Sequence, residues 1–161
     1  MKNVLLVTDG ACINNPGPGG WACVLRFKES VAEMFGCEAH TTNNRMELTA
    51  VIEGLKAIKE PCTVTIFTDS QYVKNGITQW IHNWKANSWV HKVKGMRERQ
   101  PIKNQDLWME LEKQTLSHDV KWEWVKGHAN HTDNNRCDYL ATKAAREQIS
   151  SGGLLKVRAP A

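Results

Sequence analysis

Two stretches of this chain end alike. Leu5-Leu6-Val7-Thr8-Asp9-Gly10 and Thr65-Ile66-Phe67-Thr68-Asp69-Ser70 are apolar, β-branched runs that stop on Thr-Asp and a small residue. Each reads as a strand buried on both faces. Side by side and parallel, such strands hold their terminal carboxylates about one strand spacing, roughly 5 Å, apart. Carboxylates that close repel each other, and a divalent cation is the natural neutraliser. A single strand-end aspartate usually caps the turn that follows it; the matching pair directs attention to further acids. Glu47 stands one step off the apolar row Leu48, Val51, Ile52, Leu55, and Asp138 one step off Cys137, Ala141, Ala144. Either acid could instead complement a helix dipole, and Glu47 could complete a capping box with Asn44. Four carboxylates can hold two Mg²⁺ ions roughly 4 Å apart, an arrangement suited to hydrolysing a phosphodiester. His128, in Lys126-Gly127-His128-Ala129-Asn130-His131, fits proton transfer beside such a centre better than zinc binding, since the segment is a glycine-containing loop with no cysteine at hand to complete a site.

These residues need a scaffold. Lys2 to Asp9 predicts a first strand, and the turn Asn14-Asn15-Pro16-Gly17-Pro18-Gly19-Gly20 leads to a second, Trp21 to Phe27. A third, Val31 to Ala39, completes an antiparallel meander. From Asn44 to Lys59 the period becomes helical, with Thr42, Asn43 or Asn44 as N-cap and Pro61 beyond the end. That helix is long enough to cross the sheet, so the fourth strand, Thr63 to Asp69, can run parallel to the first. Gln71 to about Ala86 is helical but interrupted at Gly76. Lys85 to Lys103 is aperiodic and holds Lys85, Lys92, Lys94, Arg97, Arg99 and Lys103 against Glu98 alone. Asn104 to Ser117 is helical again, and Val120 to Val125 alternates as a fifth strand. A last helix runs from Thr132 to about Ile149, capped by Thr132 or Asp133. Residues 150–161 read as a flexible tail. The expectation is one α/β domain, residues 1–149, around a five-stranded mixed sheet.

A chain of 161 residues can bury a core without staples. Five scattered cysteines (Cys12, Cys23, Cys37, Cys62, Cys137) with no Cys-x-x-Cys pair argue for reduced thiols and a cytoplasmic setting. No apolar run nears the roughly 18 residues of a membrane span. A net charge of +4 is too small to name a polyanionic partner, so the clustering of cations in 85–103 carries that argument.

Several stretches together resemble bacterial ribonuclease HI: Thr8-Asp9-Gly10, the Asn14–Gly20 turn, Thr41-Thr42-Asn43-Asn44-Arg45-Met46-Glu47-Leu48, Thr68-Asp69-Ser70-Gln71-Tyr72-Val73, Gln79-Trp80-Ile81-His82-Asn83-Trp84, Trp122-Glu123-Trp124-Val125-Lys126-Gly127-His128-Ala129 and Asn134-Asn135-Arg136-Cys137-Asp138. They run in order over nearly the whole domain. The resemblance implies the ribonuclease H-like fold, with strand order 3-2-1-4-5 and helices on both faces. It implies an endonuclease that cuts the RNA strand of RNA/DNA hybrids with two Mg²⁺ ions, for which Mn²⁺ can substitute, leaving 5′-phosphate and 3′-hydroxyl ends. By motif, Asp9, Glu47, Asp69 and Asp138 are then the metal ligands and His128 the proton shuttle.

The same resemblance makes Asn15, Asn43 and Gln71 minor-groove contacts that sense 2′-hydroxyls. Thr42 and Asn104 match a pocket for a DNA-strand phosphate, although both are equally candidates for helix caps. Trp84 and the basic 85–103 stretch correspond to the family's handle-like protrusion, lengthened here by Met96-Arg97-Glu98-Arg99. Asn135 stands where family members often carry an acid, and His40 where arginine is frequent. A monomer is expected, with the hybrid duplex as partner and no membrane. The rivals are a non-catalytic hybrid-binding module and a metal-dependent nuclease acting on DNA.

Overall fold

The computed structural model describes residues 1–125 and 131–158. β1 (Lys2–Cys12), β2 (Gly17–Phe27) and β3 (Ser30–Thr41) form the antiparallel meander, each longer than its apolar run because the turn residues continue the ladder. α1 (Asn43–Lys56) crosses the sheet, and β4 (Cys62–Thr68) returns parallel to β1. The interrupted helix is α2 (Gln71–Asn75), one π turn over Gly76–Trp80, and α3 (Ile81–Ala86). A two-stranded ribbon of β5 (Val90–His91) and β6 (Gln100–Pro101) braces the basic protrusion. α4 (Gln105–Thr115), β7 (Asp119–Trp124), α5 (Thr132–Glu147) and β8 (Leu155–Arg158) complete the chain, with β7 parallel to β4.

The sheet order is β7-β4-β1-β2-β3-β8. Its first five members reproduce the expected order 3-2-1-4-5, but the sheet has six strands. The sixth comes from the segment read as a tail: β8 pairs antiparallel with Ser30–Glu33, and the Ser151 amide donates to the Phe35 carbonyl at 2.9 Å. Ser150-Ser151-Gly152-Gly153 resembles a linker, and only the open edge of β3 gives the following four residues a partner.

Alternation along the central strands divides the core in two. Leu6, Cys23 and Leu25 face α1 and α4, where Met46, Leu48, Val51, Ile52, Leu55, Trp108 and Leu111 are buried. Val7, Ala22, Val24 and Val31 face α5, against Cys137, Leu140 and Ala141. α5 approaches β2 closely at Gly20, where an added Cβ would lie 2.3 Å from the Ala141 carbonyl oxygen and 2.6 Å from the Ala145 nitrogen. All five cysteines are free. Among the described residues, no helix is long and apolar enough to cross a membrane.

The caps differ in part from expectation. Thr42 caps α1, its Oγ1 accepting from the Arg45 amide at 3.2 Å. The helix therefore starts at Asn43, and Glu47 stands in its second turn, outside any capping box. α5 is capped by His131, whose Nδ1 accepts from the Asn134 amide at 3.0 Å, and not by Thr132 or Asp133. Asp133 forms a fork with Arg26 instead.

Deleting residues 150–161 is expected to lower stability by about 2 kcal/mol, because the β8 ladder and its apolar cover are lost. Thermal unfolding checks this; an unchanged midpoint would mean the segment does not pair in solution.

Candidate active site

β1 and β4 are neighbours and parallel, with Val7 opposite Phe67. Two residues further on stand Asp9, still on β1, and Asp69, just past the end of β4. Glu47 reaches them because Gly10 lets α1 close on β1: a Cβ there would lie 2.5 Å from the Glu47 nitrogen and 2.6 Å from the Met46 carbonyl carbon. One carboxylate oxygen from each of Asp9, Glu47 and Asp69 lies within 4.8 Å of the others. Asp138 comes from the opposite face of the sheet, on α5. It is exposed and lines the same cleft, together with Asn43, Asn44, Ser70, Gln71 and Tyr72. Three of the four predicted acids thus converge, and the fourth stands at the cleft wall.

Burial sets the electrostatics. Asp9 is only 3% and Glu47 only 5% exposed. Desolvation pushes the Asp9 carboxyl up to about 6; its hydrogen bond with Glu47 and the bond from the Gly10 amide (2.9 Å) pull down, while the charges of Asp69 and Asp138 push up. Glu47 is raised well above the ordinary carboxylate range, first by burial and then by the Asp9 charge. Both carboxyls are thus held more readily protonated than free ones, and a cation would relieve the same opposition. The residues suit a divalent ion: the donors are hard carboxylate oxygens, and Glu47 Oε2 is buried with no hydrogen-bond partner among the described residues.

Of the predicted binding residues, Asn43 and Gln71 line this cleft. Asn15 Oδ1 accepts from the Asn43 amide at 3.0 Å, tying the β1–β2 turn to the start of α1. Asn104 precedes α4 in a left-handed conformation (φ 61°) and makes no capping bond. Its Oδ1 accepts from Arg45 Nη1 at 3.2 Å and its Nδ2 donates to the Tyr72 hydroxyl at 3.0 Å, a hydroxyl that also accepts from Trp108 Nε1 at 2.9 Å. Trp84 is half-buried between Trp80, Trp89 and Trp108, with ring centroids 5.9, 6.2 and 5.3 Å away. Trp84 thus roots the protrusion as much as it presents a surface. Lys85 pairs with Glu112 across 2.5 Å, so the protrusion's charge is less free than its sequence implies. His128 lies outside the described residues. Sequence reasoning passed over Asn44, Ser70 and Tyr72 as cleft residues and His131 as a cap; all four sit inside the quoted motifs, but none carries a signal that separates lining from support.

Comparison with known proteins places this geometry. LC9-RNase H1, a type 1 RNase H with the type 2 active-site motif, superposes with a TM-score of 0.85 at 34% identity, covering 97% of this chain and 78% of that one. LC11-RNase H1, solved in complex with an RNA/DNA hybrid, shares the fold at a TM-score of 0.62 and 18% identity, covering 89% of this chain and 97% of that one. The fold is therefore the ribonuclease H fold. A sequence model of the RNase H family matches residues 1–146, and the Ribonuclease H of Solibacter usitatus is 58% identical over 151 residues, 94% of this chain and all of that protein. The chain belongs to the ribonuclease H family, whose members are hydrolases acting on RNA in hybrids.

The raised carboxyl of Asp9 fixes a pH dependence. The folded protein holds this proton at pH values where the unfolded chain has released it, so the stabilisation is complete below about pH 4 and is lost as pH rises through about 6. Without metal, Asp9→Asn should be more stable than the parent by about 2 kcal/mol at pH 8 and by less at pH 5. Millimolar Mg²⁺ should raise the parent's unfolding midpoint at pH 8 more than the variant's, as differential scanning calorimetry would show.

Proposed function

We infer that this protein is an endonuclease that hydrolyses the RNA strand of RNA/DNA hybrids, leaving 5′-phosphate and 3′-hydroxyl ends. The observation that carries the reading is the cluster of Asp9, Glu47 and Asp69 at the floor of a cleft walled by Asn43, Gln71 and Asp138. Asp9, Glu47, Asp69 and Asp138 would hold two Mg²⁺ ions, with Mn²⁺ able to substitute. When bound, the ions supply charge that offsets the attacking and leaving oxygens. His128 moves the proton.

Asn15, Asn43 and Gln71 offer amide donors and acceptors to a minor groove in which 2′-hydroxyls mark the RNA strand. Thr42 and Asn104 serve a DNA-strand phosphate. Capping does not exhaust Thr42, since its Oγ1 accepts from Arg45 and keeps a hydroxyl proton to donate. Asn104 likewise retains one N–H of Nδ2 after bonding Tyr72. Trp84 and the cations of the protrusion bind backbone phosphates without reading sequence, so binding weakens as salt rises. The catalytic machinery lies within residues 1–149, with β8 added at the edge of its sheet, and the protein acts as a cytoplasmic monomer.

Asp9→Asn should reduce cleavage by about 10³-fold or more while leaving hybrid affinity within a few-fold. Labelled hybrid, double-stranded RNA and double-stranded DNA, each incubated with Mg²⁺ and with chelator, separate the alternatives. Cleavage of the hybrid alone and only with metal supports the reading; binding without cleavage makes the protein a hybrid-binding module, and cutting of DNA makes it a nuclease of another class.

A further inference from the structure

Asp9, Glu47 and Asp69 are tied together by β1, α1 and β4, whereas Asp138 depends on how α5 lies on the other face of the sheet. The rows of β2 and β3 that face α5 are Ala22, Val24, Arg26 and Val31, Glu33, Phe35, each an apolar row broken by one charged residue. Both charged residues are spent on α5. Arg26 Nε and Nη2 donate to Asp133 Oδ2 and Oδ1 at 2.5 and 2.9 Å. Arg136 Nε and Nη2 donate to Glu33 Oε2 and Oε1 at 2.6 and 3.0 Å, with Glu33 itself only 7% exposed. Ion pairs near a surface add little to stability. A two-atom fork, however, fixes orientation, because guanidinium and carboxylate planes must align.

The forks and the acid leave the helix on opposite flanks. At about 100° per residue, Asp138 lies roughly 160° around the axis from Arg136 and roughly 140° from Asp133. The stripe between them, Asn134, Cys137, Ala141, Ala144 and Ala145, is buried and made mostly of small side chains, and Leu140 beside it is the one large apolar side chain that α5 buries. Small side chains allow close approach but form shallow ridges, which resist rolling weakly. A carboxylate about 6 Å from the axis moves about 2 Å when the helix rolls by about 20°. That shift equals a whole Mg²⁺–oxygen bond, roughly 2 Å.

The geometry points to Arg26 and Glu33 as positioning residues: with Asp133 and Arg136 they fix the roll of α5 on the sheet and so set where Asp138 stands in the cleft. The assignment of Asp138 as fourth acid rests on the function proposed above; the control of roll does not.

Two readouts test this. In the metal-free protein, amide residual dipolar couplings along α5 oscillate with the helical period, and their phase reports rotation about the axis. Glu33→Gln/Arg136→Gln should shift that phase while the unfolding midpoint stays within a few degrees, since both charges of a half-buried pair are removed together and two neutral amides replace them. At saturating Mg²⁺ its kcat for hybrid cleavage should fall about tenfold with KM within about twofold, and Glu33→Arg/Arg136→Glu should recover part of the loss. In an Asp138→Asn background the same pair of changes should lower kcat by less than about twofold. Arg26→Gln/Asp133→Asn is the parallel case should the first pair fail to fold. An unshifted phase overturns the inference, as does an equal fall in kcat with and without Asp138. Failure of the parent to cleave hybrid overturns the functional reading and leaves the phase measurement standing.

Discussion

The repulsion among Asp9, Glu47 and Asp69 is the constraint around which the molecule is built. Carboxylates with oxygens inside 4.8 Å, two of them almost wholly removed from water, oppose the fold that holds them. What keeps them together is distributed: parallel pairing of β1 with β4, the approach of α1 at Gly10, and two apolar layers that have no other way to be buried. The Asp9 carboxyl is raised first by its removal from water and then by the Asp69 charge, so both burial and repulsion weigh against the ionised cluster. Such a site costs stability and gains affinity for a divalent ion, the usual balance between function and stability in a preformed centre.

The cleft wall follows the same logic of preorganisation. Asn15 is fixed by the Asn43 amide, Asn104 by Arg45 and Tyr72, and Tyr72 by Trp108. These three side chains are thus held by groups committed to the fold.

Much of this was legible in the sequence because it depends on period and punctuation. The change from alternation to a 3.6-residue repeat at Asn44, and back at Thr63, separated meander, crossover helix and parallel strand with boundaries off by only a few residues. Asp9 and Asp69 were legible as a pair because the Thr-Asp endings repeat, and Glu47 and Asp138 because each stands one step off an apolar helical row. Less legible were features that depend on a partner distant in the chain. β8 has no pattern stronger than its linker, and becomes a strand because β3 presents an open edge. His131 caps α5 although threonine and aspartate stand beside it, because Asp133 is drawn to Arg26 from β2. Lys85 counts as a free cation until Glu112 of α4 is found against it.

By itself the sequence determined which residues could form a carboxylate centre, which elements carry them, and that the first and fourth strands could lie parallel. Those are statements about local period and residue type, carried by each stretch alone. Only the tertiary structure decided that Asp9, Glu47 and Asp69 share one pocket while Asp138 stands at its wall, and that Arg26 and Glu33 fork onto the helix bearing it. Those depend on register between strands and on the roll of a helix against a sheet. Both are set by side-chain packing between residues more than a hundred positions apart, such as Arg26 and Asp133, and no local pattern records them.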